Sequence, residues 1–236
     1  MYGADFAEIY DIIHQSRGKD YSGEVEELAR LIRARKPNAA SVLDVACGTG
    51  GHLRFLRELF DRAEGLELSE DMLAIAQTKM PGIRLHQGDM RDFDLAGTFD
   101  AITCMFSSIG YLRSTAELDR TLGRLTQHLN PGGVVAIEPW VFPDTFISGY
   151  VAADLARVNG RTIARISHSV REGDATKMEV RYIDADGSGI RQLVETHQLT
   201  LFTRDEYEAA FTQAGCTAEY IVEDRFPRGL FVGVHR

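Results

Sequence analysis

SVLDVACGTGGHL, Ser41 to Leu53, is the stretch from which the rest of the chain is read. Ser41 to Ala46 is a short apolar run of β type that includes Asp44. It gives way at once to Gly48, Thr49, Gly50 and Gly51, after which Leu53, Leu56, Leu59 and Phe60 set up a helical pattern. Glycines between a buried strand and a helix make the tight turn at the strand's carboxyl end and let the backbone approach a ligand, where open α/β sheets bind. A dinucleotide turn wants G-x-G-x-x-G, and Gly48-Thr49-Gly50-Gly51-His52-Leu53 lacks the last glycine. A purely structural strand-to-helix turn also fits this stretch taken alone, and His52 reads as exposed.

The following stretches stand at informative distances. AEGLELSEDML is an apolar strand closing on Glu67, seventeen residues after Gly50, with Leu68 beside it. An acidic residue at that strand end can accept hydrogen bonds from both hydroxyls of a ribose. HQGDMRDF puts Asp89 and Met90 after a third strand, Ile83 to His86. Together these segments resemble the class I S-adenosylmethionine (SAM)-dependent methyltransferases, whose first motif has the form D-x-A-C-G-T-G. The resemblance implies SAM as cofactor, the glycine turn with Gly48 and Gly50 beneath it, Glu67 and Leu68 at its ribose, and Asp89 and Met90 at the adenine amino group.

Composition narrows the partners. With 35 acidic against 26 basic residues in 236, the formal charge is -9, which argues against a nucleic-acid backbone as substrate. No stretch has the length of a membrane span, and MYGADFAEIYDII is acidic and amphipathic rather than a signal peptide, so no membrane partner and a cytoplasmic location are expected. Cys47, Cys104 and Cys216 are scattered in apolar runs without metal-ligand spacing and read as reduced core thiols, with no metal expected.

Taken in order, Asp5 to Ile13 predicts a short amphipathic helix with Phe6, Ile9, Tyr10 and Ile13 at helical spacing, followed by the polar loop HQSRGKDYSGE. A helix spans Ser22 to Arg35, and Ser69 caps another. Phe99 to Met105 is a strand, Thr115 to Leu129 a helix with Leu118, Leu122, Leu125 and Leu129 inward, and Asn130-Pro131-Gly132-Gly133 a turn into VVAIEPW. Strand and helix alternate to this point, as in a doubly wound parallel sheet.

After Trp140 the pattern changes. Ile163 to Val170 alternates with Ala164, Ile166 and Val170 on one side, Thr176 to Tyr182 alternates likewise, and the turn Asp184 to Gly189 leads to a third β run ending at Phe202. A helix near Arg204 to Ala214 and a hairpin of residues 217–223 and 229–235, which places one antiparallel strand in the sheet, complete the chain. The expected fold is therefore α/β, a class I (Rossmann-like) methyltransferase with a seven-stranded, mostly parallel sheet. Residues 1–140 and 203–236 form the core with an N-terminal lid, and 141–202 an antiparallel β insertion that binds substrate. Between Arg157 and Arg191 the insertion has seven basic and five acidic residues. This locally positive segment suits a small anionic substrate such as a nucleotide sugar, although solvated strand faces explain the charges nearly as well.

Over nearly the full length the chain is similar to a narrower family. RGKDY, LDVACGTG, GLELSEDML, LHQGDMRDF, MFSSIGYL, EPW, ISHSVREG, LFTRDEYEAAFTQAG and RGLFVG together resemble the N,N-dimethyltransferases of dTDP-amino-dideoxy sugars in antibiotic biosynthesis. The resemblance implies a lid segment bearing Tyr10, His14, Arg17 and Tyr21, in which Arg17 pairs with the cofactor carboxylate; a solvated surface arginine reads equally well. Ala46 and Met105 join the cofactor contacts. Ser108 and Tyr111 stand beside the methyl acceptor, and Trp140, Phe142, Thr145, Ser148 and Arg228 line the nucleotide-sugar site. His14, Tyr10 and Tyr111 are candidates to orient the amine or accept its proton. His14 stands where enzymes of the desosamine type carry a tyrosine, which leaves the ring position of the amine open. A homodimer paired through the insertion is expected from fold-level analogy. Two other readings stay open: a class I methyltransferase for another amine or hydroxyl, and a non-enzyme that binds the cofactor as a ligand.

Overall fold

The computed structural model describes residues 4–236, with side chains from Ile9 onward; the side chain of Phe6 lies outside the described residues. Helix α1 (Ala4–Ser16) runs three residues past its expected end, so His14 sits on the helix rather than in the loop. Helix α2 (Tyr21–Arg35) follows, and the side chain of its N-cap Asp20 accepts from Gly23 N.

Strand β1 (Ser41–Val45) is buried at every position, as its apolar run requires. It lies between two parallel partners, β2 (Arg62–Glu67) and β4 (Phe99–Cys104), with β3 (Arg84–Gln87) beyond β2. Strand β5 (Leu129–Ile137) is parallel to β4, and the C-terminal hairpin of β10 (Cys216–Glu223) and β11 (Phe226–His235) slots β11 antiparallel against β5. The seven-stranded order is β10-β11-β5-β4-β1-β2-β3. The chain reverses its direction of spread between β1 and β4, which opens a crevice at the strands' carboxyl ends.

Helices cover both faces. Helix α5 (Thr115–Gln127) and α6 (Arg204–Gln213) cover one, with Leu118, Leu122, Leu125 and Phe211 meeting Val135 and Phe231. On the other, α2 and α3 (Leu53–Leu59) put Val25, Leu28, Ile32 and Leu56 against Val42 and Val134. Helix α4 (Glu70–Lys79) begins with Ser69 Oγ accepting from Met72 N at 3.3 Å. α5 ends earlier than its leucine spacing predicts: Leu129 opens β5, and the Asn130–Gly133 segment is a bulged start of that strand, not a separate turn.

The insertion is a four-stranded antiparallel meander, one strand more than the sequence showed: β6 (Tyr150–Val158), β7 (Arg161–Glu172), β8 (Ala175–Asp186) and β9 (Gly189–Thr200). The expected turn at Asp184 begins only after Asp186. The facing of β7 is the reverse of the expected one. Ile163, Arg165, Ser167 and Ser169 point inward, while Ile166 is 51% exposed on the outside. Apolar-in alternation assumes that the buried face meets a dry core; here α1 covers only part of that face. Ile9 and Ile13 pack on Ala156, Ile163, Val180 and Tyr182, and the rest of the face looks into a cavity. Among the described residues no helix is long and apolar enough to cross a membrane.

Candidate active site

At the end of β1 the backbone turns sharply. Ala46 adopts a left-handed φ of 56°, uncommon for a residue with a side chain, and Gly48 follows at 57°. A Cβ on Gly48 would meet nothing within 4 Å, so the glycine is present for its conformation and leaves bare backbone at the wall. Gly50, with a φ of 83°, serves packing as well: a Cβ there would lie 2.2 Å from the Met80 methyl of the residue that ends α4. The Gly48 N–H donates to Glu67 Oε2 at 2.9 Å, while Leu68 N and Ser69 N donate to Oε1, both at 2.9 Å. The carboxylate is thus fixed at the end of β2 by three donors, and with two lone pairs on each oxygen it retains one acceptor site, on Oε2, for a ribose hydroxyl. Asp44, buried and accepting from Thr103 Oγ1 at 2.8 Å, is pushed by burial up to about 6.

A cavity of about 790 Å3 opens beyond this turn, bounded by the strand ends, α1 and the inner face of the insertion. Tyr10, His14 and Arg17 descend into it from α1 and the loop behind. The His14 ring meets Tyr10 and Phe106 edge-on at 4.4 and 4.8 Å. Burial, helped by Arg17, Arg165 and Lys19, lowers the His14 pKa to about 3, so its imidazole is neutral at physiological pH. Burial, with Tyr21 and Tyr111 nearby, raises Tyr10 well above the ordinary phenol value, so it stays protonated. Arg17 is tied to Asp154 at 3.3 Å across the cavity mouth, and Asp154 also faces Arg165 at 3.4 Å. Asp11 fastens α1 to the glycine turn, accepting from Thr49 Oγ1 at 2.6 Å and pairing with Lys79.

The opposite wall comes from the ends of β4 and β5. Ser108 and Tyr111 lie on the 3-10 turn Ser108–Tyr111, which Phe106 and Ser107 enter with left-handed φ angles of 56° and 63°. Glu138, 2% exposed, accepts from Phe106 N at 2.7 Å and faces Arg228 at 3.8 Å. The Arg228 guanidinium lies over the Trp140 ring at 4.8 Å. The Trp140 Nε1–H is buried with no partner among the described residues. An indole donor beside a stacked guanidinium suits a phosphate-bearing ligand.

Of the residues singled out in the sequence, the cavity gathers Tyr10, His14, Arg17, Ala46, Gly48 and Glu67, and opposite them Ser108, Tyr111, Trp140, Thr145 and Arg228. Met105 and Tyr21 line an adjoining recess. Phe142 is not at the wall: it is 6% exposed, ringed by Tyr207, Tyr220 and Phe231, because the chain turns inward after Trp140 to close the core. Ser148 is exposed and accepts from Arg171 N at 3.0 Å between β6 and β7. Leu68, Asp89 and Met90 stand off the cavity; Asp89 is held bidentately by Arg91, which keeps its carboxyl below the usual range.

His52 is also not exposed: it is 6% accessible and contacts Glu24 at 2.8 Å, with Lys19 on the same carboxylate at 2.7 Å. The positive charge of the insertion is largely spent locally, Arg161 and Arg191 on Asp184 and Arg181 on Glu179, and only Arg165 of the seven basic residues reaches the cavity. Residues the sequence reading passed over include Glu24, Glu138, Tyr182 and His197. Glu138 was readable by the same rule as Glu67, since it ends a parallel strand. The cysteines are free and buried, and no cluster among the described residues is arranged for a metal.

Comparison with known proteins agrees with this architecture. A methyltransferase domain model matches residues 42–133. The chain is 54% identical, over 99% of both chains, to dTDP-3-amino-3,4,6-trideoxy-alpha-D-glucopyranose N,N-dimethyltransferase of Streptomyces venezuelae. It is 48% identical, over 99% of this chain and 94% of the relative, to dTDP-4-amino-2,3,4,6-tetradeoxy-D-glucose N,N-dimethyltransferase of Saccharopolyspora spinosa. Among solved structures, SAM-bound CalS10, an amino pentose methyltransferase from Micromonospora echinaspora involved in calicheamicin biosynthesis, superposes with a TM-score of 0.90 at 47% identity, covering 97% of each chain.

Proposed function

Since the chain belongs to the family of dTDP-amino-sugar N,N-dimethyltransferases, class I enzymes that use SAM, we propose that it methylates the amino group of a dTDP-linked amino-dideoxy sugar twice, in antibiotic sugar biosynthesis. The observation that carries this reading is that a single cavity joins a strand-end carboxylate suited to a ribose hydroxyl to a guanidinium laid on an indole, with the rings of Tyr10, His14 and Tyr111 on its wall.

SAM, when bound, supplies an activated methyl group on a sulfonium. The chain's own contribution is position and solvation. Glu67, set by three backbone donors, takes the ribose; Ala46 and Gly48 shape the floor; Arg17 exchanges its partner Asp154 for the cofactor carboxylate. Met105 joins the cofactor set, and Leu68, Asp89 and Met90, which stand outside the cavity lining after β2 and β3, would meet the adenine where it extends past the ribose. Arg228 on Trp140 receives the diphosphate, with Thr145 on the same side and Ser148 at the outer rim. Residues 141–202 act as the substrate-binding unit and the remainder as the cofactor-binding core. His14, held neutral, orients the amine by accepting one N–H, and a group with a pKa of about 3 does not retain the proton. Tyr10, held protonated, offers a donor. Alignment of the lone pair behind the methyl carbon contributes up to about 7–11 kcal/mol in favourable model systems.

A second copy of the chain pairs with the first through the outer face of the insertion, where Leu155, Ile166, Ile183 and Val194 are 58, 51, 43 and 56% exposed on adjoining strands. A nucleotide sugar and SAM as reactants support a cytoplasmic location, and the formal charge of -9 disfavours a nucleic-acid partner.

The test is mass spectrometry of products from the purified protein, SAM and a panel of dTDP-3-amino and dTDP-4-amino dideoxy sugars. Gain of two methyl groups on one member supports the reading and identifies the ring position. A product that stops at one methyl after long incubation defeats the second transfer, and no gain on any member defeats the substrate class.

A further inference from the structure

Behind Tyr111 lies a row of polar groups that the proposed cofactor and nucleotide contacts do not use. Tyr111 Oη is 3.0 Å from His197 Nδ1, and His197 Nε2 is 3.4 Å from Glu195 Oε2. The tyrosine comes from the 3-10 turn after β4, while the other two are separated by one residue on β9 and so share the strand's inner face. The turn and the strand meet because Thr200 Oγ1 donates to the Leu112 carbonyl just beyond the turn and Leu199 packs beside Gly110. Tyr111 and His197 line the cavity. Glu195 stands one step deeper: its Oε2 is buried, has no hydrogen-bond partner among the described residues, and lies 3.4 Å from His197 Nε2. The carboxylate 3.4 Å behind the imidazole favours the tautomer with Nε2–H toward Glu195, in which Nδ1 accepts from the phenol.

Double methylation creates a need for such a row, and the inference rests on the double-transfer reading given above. In the first transfer the nitrogen lone pair forms the N–C bond as the C–S bond breaks, its electron pair staying on sulfur, and the nitrogen becomes a secondary ammonium. No second transfer is possible until an N–H bond breaks and restores the lone pair. His14, with its pKa lowered to about 3, cannot keep that proton, and Tyr10 is held in its protonated form. Glu138 is engaged with Phe106 N and Arg228.

We propose that Tyr111, His197 and Glu195 form the route by which the proton leaves the methylated amine between the two transfers. The ammonium N–H gives its proton to Tyr111 Oη while the phenolic proton passes to His197 Nδ1. The imidazolium so formed is stabilised by Glu195 at Nε2 and then releases its proton to water at the cavity. Tyr111 touches the amine; His197 and Glu195 act through it and are positioning residues. The titratable and charged groups that face this row are Tyr150 in the cross-strand row of His197, Asp154, Arg165 and Tyr182 one row beyond Glu195, and Tyr10 from α1.

The experiment follows the separate rates of first and second methyl transfer by mass spectrometry, from pH 6.5 to 9, for the full-length wild type, Tyr111→Phe, His197→Asn and Glu195→Gln. Asn keeps an acceptor near the place of Nδ1 but cannot hold the proton, and Glu195→Gln keeps the shape of the inner face should His197→Asn fold poorly. The expected result is that the ratio of second to first transfer falls at least tenfold at pH 7 in each variant, monomethyl product accumulates, and the ratio recovers toward wild type at pH 9, where bulk base removes the proton. A ratio unchanged from wild type, or equal slowing of both transfers at every pH, overturns the route and leaves the three residues a structural role. Failure of the wild type itself to add a second methyl to any amino sugar would be seen before any variant is compared, and it sinks the double-transfer reading together with the route.

Discussion

Glu67 shows how one side chain links the turn to the sheet, because its carboxylate holds backbone N–H groups of Gly48, Leu68 and Ser69 at once. Glu67→Ala strands those donors as well as removing the ribose acceptor, at a cost of about 1–3 kcal/mol for each buried donor left unsatisfied. Calorimetry of SAM binding is expected to show at least a tenfold weaker Kd, together with a lower melting temperature of the apo protein. Gly50→Ala acts on backbone and packing together: a positive φ of 83° and the crowded Met80 methyl predict a loss of about 1–3 kcal/mol in urea unfolding. For His14 the folded pKa of about 3 lies below the ordinary 6.5. As pH falls below 6.5 the unfolded chain takes up a proton that the folded chain refuses, so stability drops through the window from 6.5 toward 3. At most this is on the order of 1.4 kcal/mol per pH unit of the window. Thermal melts from pH 7 to 4 should fall more steeply for wild type than for His14→Gln. The sequence made Glu67 legible because a strand-end acid has a job that spacing reveals. It did not separate Phe142 from Trp140, since both are aromatic and adjacent to the strand end, and only the inward turn of the chain decides which one meets the ligand.

At the scale of elements, the lid is the part that spacing described least completely. Helix α1 rests on two supports: its apolar side on the insertion through Ile9 and Ile13, and Asp11 on the glycine turn through Thr49 and Lys79. Asp11→Ala keeps the first support and removes the second. Stopped-flow release of SAM is expected to be about three- to tenfold faster, with the melting temperature of the protein changed by less than its Glu67→Ala counterpart; unaltered release would assign Asp11 to surface solvation alone. The helix itself was readable from its 3.6-residue period, and its extra turn was not, because His14, Gln15 and Ser16 carry no apolar signal. Strand β7 was readable as a strand and misread in facing for a related reason. A ligand cavity inverts the usual rule, placing Arg165, Ser167 and Ser169 inside and leaving Ile166 out. Strand β6 was missed because Val151 and Leu155 face outward and its inner positions are Ala152, Asp154 and Ala156.

For the whole molecule, the doubly wound order followed from alternation of strand and helix, and the single antiparallel strand from the terminal hairpin. What alternation does not encode is association, which depends on the outer face that the inverted strand creates. Ile166→Lys with Leu155→Glu on that face is expected to convert a dimer to a monomer in sedimentation experiments, with SAM affinity within about twofold because neither side chain reaches the cavity. A wild type that sediments as a monomer would remove the pairing.

The two sheets also differ in how far apart along the chain their partners lie. Each strand of the meander pairs with its immediate successor across a two-residue turn, whereas β11 must find β5, with Val234 opposite Val134. During synthesis on a ribosome the insertion therefore has all its pairings in hand while the flank of β5 is still bare, since the strand that covers it is made after the insertion. Until β11 has emerged, the chain carries an open edge on the buried strand β5.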